Sequence, residues 1–262
     1  MDPANKSLVA LPPPFIALDG IDNARTIDTF VRSPSVKIRP NIIHRSADPI
    51  NITDVGKNQL LGRQIRTITD MRLIREPSLT LDINGVEWLF VPQLEEVSPP
   101  LALPVKYKVN VLTNNQAFIK DYAETLRTNG PAYKNFFTHL RDKPGEPVLV
   151  HCSAGKDRTG IVIALLLMVL GVHDDDIVDD YALSSVGLAS AMPRLMAEFE
   201  ARNQAYKDNP AALLIIHASP ETMAATLELV REAFGGVENY CQKYVGLGDK
   251  DTEQIRKNLL LP

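Results

Sequence analysis

Cys152 and Arg158 are separated by five residues, Ser153-Ala154-Gly155-Lys156-Asp157, with His151 before them and Thr159-Gly160 after. Small residues at Ser153, Ala154 and Gly155 let a backbone curl into a concave nest of N–H groups that fits a tetrahedral anion. Arg158 adds a planar fork of donors able to hold two phosphate oxygens at once. The run from Ser153 through Ala154, Gly155, Lys156 and Asp157 to Arg158 is therefore a candidate phosphate-binding loop. A thiol at such a place ionises more readily than one in bulk water, and the thiolate is the nucleophilic form. Cys152 attacking a phosphoryl group whose charge the amides and one guanidinium absorb would be covalent catalysis through a phosphocysteine. Chemistry of this kind needs no metal or other cofactor. Thr159 could donate a hydrogen bond to the sulfur and ease its departure, or cap the helix that follows. His151 is expected to order the loop through a backbone hydrogen bond. Lys156 faces either the phosphate region or solvent; in the first case its charge favours multiply phosphorylated inositol head groups or acidic peptides.

Such a loop needs a strand to deliver it and a helix to begin where it ends, because a helix N-terminus aims unsatisfied N–H groups and positive dipole at one spot. Val148-Leu149-Val150 reads as that strand, short and wholly apolar. Ile161 to Val172, beginning near Thr159, reads as a helix apolar on nearly every face and so buried. Upstream, strands are expected at 41–44, 65–69 and 86–91, and Thr53 is a plausible N-cap for a helix reaching about Gly62. Helical spacing returns at 118–126 and 131–140, with Gly130-Pro131 as stop and restart. Pro99, Pro100 and Pro104 keep 96–105 from forming a long regular element. Downstream, 174–184, 189–206 and 220–234 read as helices, and a last element over 237–261 is broken near Gly246-Leu247-Gly248. Met192, Leu195, Met196 and Phe199, at helical spacing within 189–212, either pack on the core or form a lid over the site.

The fold class expected is α/β, a parallel-rich central sheet flanked by helices with a helical C-terminal half. Residues 1–15 read as a flexible N-terminal arm and 16–262 as one catalytic domain, since no linker divides them. Hydrophobic residues at 45% and charged residues at 23% exclude a mostly disordered chain. The longest apolar run, Ile161 to Leu170, is about half the roughly 20 residues a membrane span needs, so no stable membrane insertion is expected. The first twenty residues, with Pro12 to Pro14 in a row, do not resemble a signal peptide. A net charge of −4 argues against general affinity for nucleic acid, so an anionic ligand must be captured by local positive charge. Two cysteines are too few for a disulfide scaffold, and a reducing cytoplasmic setting fits best. Cys241 reads as a core residue. A nucleotide-binding P-loop is excluded, because Asp157 rather than Ser or Thr follows the lysine.

The string His151-Cys152-Ser153-Ala154-Gly155-Lys156-Asp157-Arg158-Thr159-Gly160 resembles the signature loop of the protein tyrosine phosphatase superfamily, in its atypical bacterial and fungal branch. Leu18 to Arg25 is similar to that branch's G-x-x-N-x-R element, His44-Arg45-Ser46-Ala47 to its R-S-[AG] strand end, and Thr69-Asp70-Met71-Arg72 to its D-L-R segment. Asp180-Tyr181-Ala182-Leu183-Ser184 is similar to a helix found after the loop. The resemblance, over roughly residues 18 to 258, implies a cysteine-phosphatase fold. It also implies a phosphomonoester hydrolase acting through a phosphocysteine, most simply a protein tyrosine phosphatase of broad or dual specificity. A phosphoinositide phosphatase is the alternative enzyme, and a non-catalytic phosphate-binding module the alternative outside enzymes. The partners implied are phosphorylated proteins or phosphoinositides.

The leaving oxygen needs a carboxylic acid within about 3 Å. Many members of the superfamily place it in a W-P-D string, but the sole tryptophan, Trp88, precedes Leu89 here. In the atypical branch the Asp inside the loop is implicated, which carries over to Asp157. Asp70 is the alternative acid, since it follows the strand expected at 65–69 and could project over the same sheet edge; an ion pair with Arg72 or a turn position is the competing role. Arg45 and Arg72 could add to the positive field at the site, but surface or structural ion pairs are the expected role of both.

Overall fold

A computed structural model describes residues 11–28, 35–72, 82–90, 116–202 and 217–262. Among these residues five strands, β1 (Arg25–Thr26), β2 (Ile43–Ser46), β3 (Thr67–Asp70), β4 (Glu87–Phe90) and β5 (Val148–His151), form one sheet in the order β1-β2-β5-β3-β4. Only the pairing of the edge strand β1 with β2 is antiparallel; the other three are parallel. The central position of β5 follows from its composition, because a strand buried on both faces reads as an unbroken apolar run. Its side chains divide between two cores. Val148 and Val150 join the larger one with Phe136, Phe137 and Ile163, and Leu149 joins a smaller one with Leu60, Ile65 and Ile68.

The smaller core is covered by α1 (Asp54–Gly62), whose first turn is capped by Thr53 accepting from the Gly56 amide at 3.1 Å. The larger core is built on α2 (Gln116–Thr128), α3 (Gly130–Asp142), α4 (Asp157–Val169) and α5 (Asp174–Gly187). Every residue of α4 from Thr159 to Leu167 is buried, as its all-round apolar sequence requires. Beyond them come α6 (Met192–Arg202), α7 (Pro220–Glu232), α8 (Val237–Tyr240) with a π-turn at Cys241–Val245, and α9 (Asp249–Leu259). The chain closes on itself: Ile38 and Leu260 form an antiparallel bridge, and the Arg39 amide donates to Leu259 O at 2.7 Å.

The first strand expected near 41–44 lies two residues later. Arg45 and Ser46, beyond the expected end at His44, are inside β2 and buried, because a carboxylate from α5 meets the arginine there. Residues 1–10 of the expected arm, the irregular stretch 96–105 and residues 203–212 of the expected lid lie outside the described residues. Within α6, Met192, Leu195 and Met196 are half-buried, and Arg194 donates to Asp22 at 2.8 Å.

Candidate active site

The three parallel strands β2, β5 and β3 end level with one another, since Ser46 and Asp70 both lie in register with His151. The loop from Cys152 to Lys156 therefore leaves the sheet at its carboxyl edge, where ligands of open α/β sheets bind, and α4 starts at Asp157. The loop's carbonyls are tied backward into the protein. The Asp48 amide donates to Ser153 O at 3.1 Å. Asn23 Nδ2 donates to Ala154 O at 3.0 Å and Gly155 O at 3.2 Å. Arg45 Nη2 donates to Gly155 O at 2.8 Å and Lys156 O at 3.4 Å. A peptide unit is planar and trans, so its N–H points opposite its carbonyl. The amides of Ala154, Gly155, Lys156 and Asp157 are thereby turned to the other side of the loop, beside the first turn of α4.

What holds those tethers is a buried charge cluster. Arg25 donates through Nε to Asp180 Oδ1 at 3.0 Å and through Nη2 to Ser184 Oγ at 3.0 Å; Arg45 Nη1 donates to Asp180 Oδ2. Burial, together with the neighbouring Arg45, lowers Arg25 to about 10, against the pull of Asp180. Burial pushes the Asp180 carboxyl up, but the two guanidiniums outweigh it and hold the group below its ordinary value. Arg25 Nη1 also donates to Asn23 Oδ1, so the amide that clamps the loop is itself oriented.

Cys152 is buried, 2% exposed, and lies in the larger core. Arg158 is held across the loop, donating through Nη2 to Ser153 Oγ at 2.9 Å and through Nη1 to Met71 O at 3.4 Å. Thr159 is buried, and its Oγ1 has no hydrogen-bond partner among the described residues; the residue at the N-cap of α4 is Lys156. His151 is buried with Nδ1 3.3 Å from Cys152 O, and Trp88 packs edge-on against its ring at 5.8 Å. Burial lowers the His151 imidazole, against the attraction of Asp70, so it stays neutral near pH 7.

Lys156 is turned away from bulk solvent. It is 1% exposed, with Nζ 3.3 Å from His217 O, 3.4 Å from Asp157 Oδ1 and 5.1 Å from the centre of the Phe118 ring. Asp157 keeps about two-fifths of its side chain exposed, 39%, and also accepts from Tyr122 Oη at 2.5 Å. Asp70 is buried and chelated: Arg72 Nη2 donates to it at 2.7 Å, Nε to both oxygens at 3.0 Å, and the Arg72 amide at 2.9 Å. Burial pushes the Asp70 carboxyl up, but Arg72 more than cancels that and leaves it below its ordinary value. Arg72 donates as well to Asp48 at 2.5 Å. Both Arg45 and Arg72 thus sit in structural ion pairs.

Asn23, Asp180 and Tyr181 belong to segments whose likeness to the atypical branch is legible, but the bonds of Asn23 to the loop, of Asp180 to Arg25 and Arg45, and of Tyr181 to Tyr122 are not. Tyr122 carried no signal. It stands 35 residues before its partner Asp157, within a stretch whose spacing announces only a helix.

Over residues 16–261 the sequence matches the tyrosine phosphatase family, and the chain belongs to that family of enzymes. Among its relatives is the triple specificity protein phosphatase PtpB of Mycobacterium tuberculosis, 25% identical over 88% of this chain and 95% of its own length. A tyrosine-protein phosphatase of Nostoc commune is 25% identical over 87% of this chain and 78% of its own. An inferred tyrosine-protein phosphatase of Cupriavidus necator is 26% identical over 94% of this chain and 88% of its own.

Proposed function

We propose that this protein hydrolyses phosphotyrosine, with a wider range of phosphomonoesters as secondary substrates, through a phosphocysteine formed on Cys152. The observation that carries the reading is the backward tethering of the Ser153 to Lys156 carbonyls, which leaves four successive amides and Arg158 around the thiol-bearing turn. Cys152 attacks phosphorus as the thiolate, the S–P bond forms as the ester P–O bond breaks, and Asp157 gives its proton to the departing oxygen. Water then attacks phosphorus, Asp157 takes its proton, and the electron pair returns to sulfur. Thr159, whose buried hydroxyl lacks a partner among the described residues, donates to that sulfur as it leaves.

Asp157 is preferred to Asp70 as the acid on chemical grounds. A donor of protons must hold one on a free oxygen: Asp70 is buried with both oxygens accepting from Arg72, whereas Asp157 is partly exposed and its Oδ2 accepts no hydrogen bond among the described residues. The engagement of Lys156 with Asp157 and the His217 carbonyl favours an aryl phosphate on a protein over a multiply phosphorylated inositol. The relative named for triple specificity supports a broad range. A nucleophilic thiol outside any disulfide suits a reducing cytoplasm.

Cys152→Ser tests the reading. Its turnover of a phosphotyrosine peptide should fall below about 1% of wild type, since a serine hydroxyl is a far weaker nucleophile at neutral pH, while inorganic phosphate still binds. Turnover above a few per cent would overturn the nucleophile assignment. In the wild type, a phosphoinositide turned over faster than phosphotyrosine and phosphoserine peptides would overturn the substrate class.

A further inference from the structure

Tyr122 on α2 and Tyr181 on α5 are buried, at 3% and 1% exposure, and their hydroxyls lie 2.9 Å apart. Tyr122 also meets Asp157 Oδ1 at 2.5 Å. A phenol has one proton to give. Burial and the adjacent Asp157 carboxylate raise the Tyr122 hydroxyl well above its ordinary value, so that proton stays on and is donated to Oδ1. Tyr181 must then be the donor to Tyr122, and a one-way chain of hydrogen bonds ends on a single carboxylate oxygen. The Lys156 ammonium, 3.4 Å away, grips the same Oδ1. Oδ2 accepts no hydrogen bond among the described residues.

The placement is built into the packing. A Cβ on Gly160, in the first turn of α4, would come within 2.9 Å of the Tyr181 ring. The absence of a side chain there lets the ring lie against the turn that carries Asp157. A phenylalanine at 122 would fill the same volume, so the hydroxyl is the part that packing does not explain.

We propose that Tyr122, backed by Tyr181, is a positioning residue that holds Asp157 by Oδ1 and so makes Oδ2 the oxygen that passes the proton to the leaving group. The inference rests on the reading of Asp157 as general acid. A proton on Oδ1 would point at the Tyr122 proton and break the chain; on Oδ2 it keeps the chain whole. Selecting the oxygen fixes the acid toward the substrate before the reaction starts, and lost orientation is paid in rate.

The test compares phenyl phosphate, whose leaving group needs a proton, with para-nitrophenyl phosphate, whose leaving group hardly does. Tyr122→Phe should lower kcat on phenyl phosphate about tenfold and on para-nitrophenyl phosphate about twofold or less, with KM unchanged. Adding Tyr122→Phe to Asp157→Asn should cost nothing further, because the two act as one unit. Equal losses on both substrates, or a further loss in the double variant, would overturn the proposal. If Asp157→Asn itself shows no dependence on the leaving group, the acid reading fails. If Asp157→Asn shows it and Tyr122→Phe matches wild type on both substrates, only the positioning role fails. Tyr181→Phe, one bond further out, should show the same pattern at smaller amplitude, and decides the matter if Tyr122→Phe does not fold.

Discussion

Gly155 combines a left-handed backbone, with φ at +65°, and a neighbour that leaves no room: a Cβ there would fall 2.1 Å from the carbonyl oxygen of Ser46. Both features serve the loop. The positive φ turns successive peptides so that their amides converge, and the close approach lets the β2 end press against the loop from behind. Gly155→Ala should therefore leave the fold intact by circular dichroism yet lower kcat/KM by about 100-fold or more, since a displacement near 1 Å in a catalytic loop has that effect. Phosphate affinity should fall alongside it. An alanine variant with wild-type kinetics would mean the amides converge without help from this backbone shape.

Three elements meet at Asp180. Arg25 reaches it from β1 and Arg45 from β2, while α5 carries it, and all three side chains are buried. Replacing Asp180 by Ala leaves two guanidiniums facing each other away from water. Breaking a buried pair in this way costs about 3–5 kcal/mol, to be read as a lower midpoint in urea. Activity should drop as well, because Arg45 also holds the Gly155 and Lys156 carbonyls. An Asp180→Ala protein as stable as wild type would show that the cluster orders nothing. This cluster also marks the limit of what local sequence conveys. The apolar run Val148–Val150, the Thr53 cap and the Gly130-Pro131 break announce β5, α1 and α3 because each signal lies within the element itself. The loop from Cys152 to Arg158 is legible for the same reason, being contiguous in sequence. Arg45 falls beyond the strand expected at 41–44 because its counter-charge comes 135 residues later, and Tyr122 reads only as part of a helix because only the folded chain brings it to Asp157.

At the scale of the molecule, buried histidines set the response to acid. Burial, with help from Arg63, lowers His44 to about 4, and burial lowers His139 and His151 in the same direction. An unfolded histidine takes up its proton near 6.5, so between that pH and about 4 the unfolded state binds more protons than the folded one. Stability is whole above pH 6.5 and is lost as the pH falls through this window. Asp70 and Asp180, held low, lose their contribution only further down, below the ordinary carboxylate range. Asp28 and Asp48, pushed up by burial, oppose the trend. Urea midpoints should be level from pH 8 to 7 and decline from about 6.5 to 4, and His44→Leu should make that decline shallower. A midpoint unchanged across the window would contradict the burial of neutral imidazoles.

The closing bridge between Ile38 and Leu260 has a bearing on synthesis. The tethers on the loop come from residues translated early, Asn23 and Arg45, but the carboxylate that orients Arg45 follows the loop, and the strip that pairs with Lys37–Arg39 is Leu259–Leu261. A chain still attached to the ribosome can present its cysteine without yet presenting a phosphate cradle. A product cut short before α5 therefore presents Cys152 while Arg45, which holds the Gly155 and Lys156 carbonyls, still lacks its counter-charge.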